Sequence, residues 1–398
     1  MLIWVSLLSL LFLKPVTLSQ VLQPLPPSLQ DEVNSTVPEI IAKYHYSVEV
    51  HHVITEDGYI LSLHRILPSR KPINSSVLVM HGIFASSADW IITGPSHGLG
   101  YILSNEGYDV WLGNARGNRY SRNHTSLDPK SKEFWDFSFH EIGVYDLPAT
   151  IDYILGKIQQ KEIFYIGHSQ GTAAFYVMCS LKPEYNAKIK AQFSMAPIAF
   201  VNHMFSPIMH FLAAFNVVFE NVAYWMDLNE LLPKNGVVNI LGEKLCGAYS
   251  IGEYVCNNAL FAIAGFNLDH LNLTLLPLIL THVPAGSSTK QVLHFSQEIN
   301  SGHFRQYDYG YWSNFKLYGQ LSPPDYDLSK ITVPIYTFSS NSDWISSPED
   351  VATLSKQLKS SKGDFFVADG SFTHIDYMYG MDAPKVLYNR ILSLMTRY

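Results

Sequence analysis

The sequence predicts an α/β fold: a mostly parallel, doubly wound central sheet with helices on both faces and a helical cap inserted before the last strands. Three observations carry this reading. Residues 77–80, 108–112 and 163–166 are short, largely apolar runs, the pattern of strands buried on both faces. Segments 146–158 and 172–181 carry apolar residues at helical spacing and alternate with those runs, as a parallel sheet requires. The alternation stops after Pro197, and strand-like runs return only at 333–338 and 364–369.

In chain order, the first segment is an apolar run that Lys14 ends. Spanning a bilayer takes about twenty apolar residues, so residues 1–19 read as a signal peptide, with Thr17 and Ser19 placing cleavage near Ser19 and Gln20. No Lys or Arg precedes the run, which leaves a buried N-terminal helix as the other reading. Residues 20–37 are rich in Pro, Ser and Gln and read as a loose mature N-terminus. Strands at 46–50 and 59–65 flank Glu56, Asp57 and Gly58, a hairpin turn. The core then covers 20–199 and 326–398. Between them, 200–325 holds apolar helical segments such as 208–215 and 259–264 and forms the cap. No later stretch is long and apolar enough to span a membrane, so a soluble mature protein without a transmembrane anchor is expected.

Composition narrows the chemistry. The chain has 398 residues, 47% hydrophobic and 15% charged, which is ample for a large core. A net charge of −7 with no long basic run argues against nucleic acid as a partner, since phosphate binding needs clustered Lys and Arg. No His, Cys, Asp and Glu cluster has metal-ligand spacing and no glycine-rich phosphate loop is present, so neither metal nor cofactor is expected. Four glycosylation sequons, at Asn34, Asn74, Asn123 and Asn272, fit secretion, although chance alone gives roughly two. Three cysteines in an oxidising compartment suggest one bridge and one free thiol. Cys246 and Cys256 lie ten residues apart in the inserted region and are expected to pair, leaving Cys179 buried in a core helix.

Residues 167–171, Gly-His-Ser-Gln-Gly, match the pattern of a nucleophile elbow, in which a serine sits on a sharp strand-to-helix turn. The pattern alone is weak, and a second copy occurs at 94–98 around Ser96. Context separates them. Ser169 follows a buried strand and precedes an apolar helix, whereas Ser96 reads as the N-cap of a helix ending at Asn105. A serine hydroxyl needs a histidine base, and that base needs an acid to fix its tautomer. In an α/β-hydrolase these follow in the order serine, acid, histidine. Asp343 lies just past the 333–338 strand, and His374 is the one histidine of sixteen that follows it. Glu349 and Asp350 are the rival acids, but they follow Pro348 and read as first-turn helix residues. The oxyanion of the tetrahedral intermediate needs preorganised N–H donors. Gln170 at the start of the helix and Ile83 in the loop after the 77–80 strand are the candidates. His81 beside them reads as an orienting or packing residue.

Residues 55–61, 81–87, 108–118, 134–143, 167–171 and 381–384 together resemble the acid lipase family of gastric and lysosomal acid lipases, nearly end to end in the mature chain. That resemblance implies the same triad of Ser169, Asp343 and His374 and the same oxyanion donors, Gln170 and Ile83. It also implies an acid-tolerant lipase with a helical cap, acting on triacylglycerols or sterol esters at a lipid–water interface. Two positions depart from the family: Ala115 stands where a serine is usual, and Ala264 where a third cap cysteine is common. Two other functions compete. An esterase for small soluble esters needs a modest, polar cap, whereas 208–219 and 271–280 are strongly apolar. A non-catalytic lipid carrier needs a broken triad, and this one is whole.

Overall fold

A computed structural model describes residues 25–232, 265 and 269–398. The segment read as a signal peptide and the pair Cys246 and Cys256 lie outside the described residues. The strands are β1 Val48–Ile54, β2 Tyr59–Ile66, β3 Ser76–Met80, β4 Asp109–Leu112, β5 Asn123–His124, β6 Ile163–His168, β7 Ile189–Met195, β8 Glu230–Leu231, β9 Ser287–Ser288, β10 Ile335–Ser339 and β11 Ser361–Phe366. Nine of them form one sheet in the order β1-β2-β4-β3-β6-β7-β10-β11, with β5 on β2. Its first pairings are antiparallel, and from β4 to β11 every neighbour is parallel.

The apolar runs are explained by the two faces. Val77 and Val79 of β3 and Phe164 and Ile166 of β6 point into one core, with Val37 and Ile40 of helix α1 (Val37–Lys43), Leu99 and Leu103 of α2 (Leu99–Asn105), and the C-terminal Ile391 and Leu394. Leu78, Met80, Ile163 and Tyr165 point to the other side. There they meet Ile151 and Ile154 of α3 (Leu147–Ile158) and the buried α4 (Gln170–Leu181). Alternation along each strand thus fills both faces.

Between Met195 and Ile335 the described residues are mainly helical. They form α5 (Pro207–Ala214), α6 (Asn216–Trp225), α7 (Leu276–His282), α8 (Thr289–Ser301) and α9 (Tyr311–Tyr318), with only the short pair β8 and β9. The sheet then resumes with β10, α10 (Pro348–Gln357) and β11, followed by α11 (Asp376–Tyr379) and α12 (Asn389–Met395).

Three local expectations are corrected. Residues 25–37 are built into the fold rather than loose: Leu25 is buried, Pro27–Val33 is a 3-10 helix, and Thr36 and Glu39 form a capping box for α1. Val37, Ile40 and Ile41 share one helical face, and that face anchors the segment to the sheet. Ser96 does not cap α2. The cap is Gly98, and the Ser96 hydroxyl bonds the neighbouring His97 Nδ1 at 2.8 Å instead. Strand β7 was not legible as a strand, because Gln192 and Ser194 interrupt its apolar pattern. Both are buried, and their oxygens are bonded locally: the Tyr176 and Ser194 hydroxyls lie 2.6 Å apart, and Ser194 donates to Gln192 Oε1 at 2.7 Å.

Arg116 is a buried cation at the join between the hairpin and α3. Its Nε donates to Asp146 at 2.7 Å, and its two amino groups donate to Asp57 at 2.5 and 2.9 Å. Its guanidinium also lies 4.0 Å from the ring centroid of Tyr59. Removing one member of a buried charged set strands the others in low dielectric. Arg116→Met is therefore expected to lower unfolding free energy by about 3–5 kcal/mol, measured by urea denaturation. An unchanged midpoint would refute this role.

Candidate active site

Ser169 sits between the last residue of β6 and the first of α4 with φ 51° and ψ −122°. Left-handed φ is uncommon for a residue with a side chain, and here the ladder and the helix impose it. His168 is still in register with Met195 of β7, the Ser169 N–H donates to the Met195 carbonyl at 3.1 Å, and Thr172 N–H closes the first turn on the Ser169 carbonyl at 2.8 Å. Gly171 lets this turn pack against β3, since a Cβ there would stand 2.7 Å from the Met80 carbonyl oxygen.

The structure brings Ser169, His374 and Asp343 together from three segments far apart in the chain. Ser169 Oγ lies 2.8 Å from His374 Nε2, and His374 Nδ1 lies 3.0 and 2.9 Å from the two oxygens of Asp343. A carboxylate only accepts, so Nδ1 carries the imidazole proton and Nε2 is left to accept from the serine hydroxyl. Asp343 is fully buried in the loop after β10, where Oδ1 also accepts the N–H groups of Ile345 and Ser346, each at 2.9 Å. His374 lies between β11 and α11. The two loops are tied by Ser342 N–H donating to the Gly370 carbonyl at 3.0 Å. Glu349 and Asp350, the rival acids, occupy the first turn of α10 behind the N-cap Ser347, and Asp350 is engaged by His203 at 2.8 Å.

Beside the serine, the loop after β3 comes so close that a Cβ on Gly82 would lie 3.1 Å from Ser169 Cβ. The next N–H belongs to Ile83 and the first N–H of α4 to Gln170. Among the described residues neither donates to a protein acceptor. His81, buried at the start of this loop, has Nδ1 2.7 Å from the Gly82 carbonyl, and its Nε2 accepts the Ala115 N–H at 3.1 Å. Burial holds its pKa down at about 4, so it is neutral over most of the pH range.

One neighbour was not legible in the sequence as a participant. His168 Nε2 donates to the backbone carbonyl of His374 at 2.9 Å, and burial, with His374 alongside, holds its pKa far below the usual histidine value. A carbonyl partner 206 residues away leaves no trace in spacing. Cys179 is buried in α4 with a free thiol. Of the sequons, Asn34, Asn74 and Asn123 are exposed, whereas Asn272 is half-buried and caps a short turn through Thr274.

A family model described as the alpha/beta hydrolase fold matches residues 76–380, and one described as a partial alpha/beta-hydrolase lipase region matches 37–94. Lipase 1 of Drosophila melanogaster is 41% identical over 92% of this chain and 81% of its own. Gastric triacylglycerol lipase of Bos taurus is 37% identical over 92% of each chain. Lysosomal acid lipase/cholesteryl ester hydrolase of Macaca fascicularis is 35% identical over 93% of each. Among solved structures, one from Sulfolobus solfataricus shares the fold with a TM-score of 0.58 at 14% identity, over 88% of this chain and 94% of that one. With that sheet, this elbow and relatives of this similarity along almost its whole length, the chain belongs to the α/β-hydrolase superfamily and, within it, to the acid lipase family of carboxylic ester hydrolases.

Proposed function

We propose that this protein hydrolyses the carboxylic ester bonds of neutral lipids, triacylglycerols or sterol esters, through an acyl-enzyme on Ser169. The observation that carries the reading is the continuous hydrogen-bonded path from Ser169 Oγ through His374 to Asp343. His374 Nε2 takes the hydroxyl proton as Oγ attacks the ester carbonyl, and the oxyanion forms toward the Ile83 and Gln170 N–H groups. The intermediate collapses, the acyl–oxygen bond breaks, and the alcohol leaves with the proton from His374. Water, deprotonated by the same nitrogen, then releases the fatty acid and restores the serine. Asp343 holds the productive tautomer and balances the imidazolium.

A lipid substrate is favoured over a small soluble ester by the surface of the inserted helices. Phe211 on α5, Val218 on α6 and Phe215 between them are exposed, and Trp225 and Trp312 are each 82% exposed. Large apolar patches on a protein surface mark a place where something apolar docks, and tryptophan is suited to a lipid–water boundary. We infer that residues 200–325 are the cap that meets lipid. Passage through the secretory pathway, to the exterior or to lysosomes, is supported by residues 1–19 and by the exposed sequons; among the described residues no helix is long and apolar enough to cross a membrane.

Ser169→Ala is expected to abolish ester hydrolysis with an unchanged melting temperature, and wild-type-like turnover would refute the assignment. Asp343→Asn should lower kcat by about 10⁴-fold through the wrong histidine tautomer; a larger loss in Glu349→Gln would move the acid to Glu349. Combined Phe211→Asp, Val218→Asp and Trp312→Asp changes should weaken hydrolysis of emulsified trioleate more than that of a soluble short-chain ester. Equal losses on the two substrates would favour the esterase reading.

A further inference from the structure

The reading above assigns the Ile83 N–H to the oxyanion without saying what aims it. We propose that His81 is the residue that does so: by binding the Gly82 carbonyl it fixes the plane of the peptide between Gly82 and Ile83, and with it the direction of the Ile83 N–H. This inference rests on the proposed acyl-enzyme reading and adds a positioning residue to it.

The tautomer of His81 follows from its partners. Its Nε2 faces two groups that donate, the Ala115 N–H and the Asn118 side-chain amide, each at 3.1 Å. The amide orientation is itself determined, because Asn118 Oδ1 accepts the N–H groups of Tyr120 and Ser121 at 3.0 and 3.1 Å. Nε2 is therefore the acceptor and Nδ1 bears the proton. That proton meets the Gly82 carbonyl at 2.7 Å. The peptide is trans, since the one cis bond among the described residues is elsewhere. In a trans peptide the carbonyl and the N–H point in opposite directions across a rigid plane. Holding the carbonyl on His81 turns the Ile83 N–H the other way. Gly82 itself stands against Ser169, where an added Cβ would lie a tight 3.1 Å from Ser169 Cβ.

The chain of cause extends outward. Asn114, Ala115 and Asn118 belong to the loop that Arg116 anchors, and Asn114 Oδ1 bonds both Asn118 Nδ2 and the Ser87 N–H, each at 3.0 Å. His81 is thus the link by which this loop sets a peptide beside the nucleophile.

The test compares His81→Leu and His81→Asn with wild type on a soluble short-chain ester. Leu and Asn have the same branched outline, but only Asn places an N–H where imidazole Nδ1 stood. Removing an oxyanion donor outright lowers kcat by about 10²–10³-fold, and a misaimed donor should lose part of that. His81→Leu is expected to lower kcat by about 10–100-fold with KM nearly unchanged, and His81→Asn to recover most of the loss. Equal kcat in the two folded variants, or a Leu effect confined to KM, would overturn the proposal. If His81→Leu fails to melt cooperatively, the Asn variant decides alone: kcat within about tenfold of wild type supports the role, and a folded Asn variant reduced by the full donor-loss factor refutes it. Because Ser169→Ala is measured in the same assay, failure at His81 with Ser169 still essential overturns this inference and leaves the acyl-enzyme reading standing.

Discussion

Ser169 holds a backbone conformation that an isolated serine would avoid, and the rest of the site is arranged around it. Such a residue costs on the order of 1–3 kcal/mol and persists only where its surroundings over-determine it. Here they do. Strand β6 is hydrogen-bonded to β3 on one side and β7 on the other up to the turn, and α4, buried along nearly its whole length, fixes the exit direction. The turn lifts Oγ out of the sheet at its carboxyl edge, the side on which parallel sheets gather their functional loops.

Asp343 and His374, which meet Ser169, stand on the loops that follow β10 and β11, the next strands across the sheet. Their positions are cross-braced: Ser346 Oγ donates to the Pro197 carbonyl at 2.8 Å beyond β7, and His168 secures the His374 backbone. The helices α5, α6 and α9 also carry aromatic side chains directed to solvent, Phe211, Trp225 and Trp312 among them.

Much of this was legible in the sequence for a physical reason. Strands buried on both faces must be apolar throughout, so β3 and β6 announce themselves, and the elbow is recognisable by what precedes and follows it. Asp343 and His374 were singled out by chain order, which is a property of the topology rather than of local composition. What was not legible depended on partners distant in sequence. Gln192 and Ser194 concealed β7 because they break its apolar pattern, and the Tyr176 hydroxyl that meets Ser194 in the core belongs to another element. Residues 25–37 looked loose because the stretch 20–37 is rich in Pro, Ser and Gln, while a few apolar side chains decide the packing. Ser96 was misread because a capping residue type does not locate the first helical turn to within two positions. The bonds of His168 to His374 and of His81 to the 114–118 loop join segments with no common pattern.

The helix behind Ser169 carries one further consequence through Cys179. Its thiol is shut inside the core, where burial pushes its pKa well above the ordinary thiol value, so neither oxidant nor alkylating reagent meets a thiolate in the native molecule. Modification at that sulfur requires the core around α4 to open. Cys179 is thus a clock built into the helix that supports Ser169, and its rate of labelling counts how often the core around that helix opens.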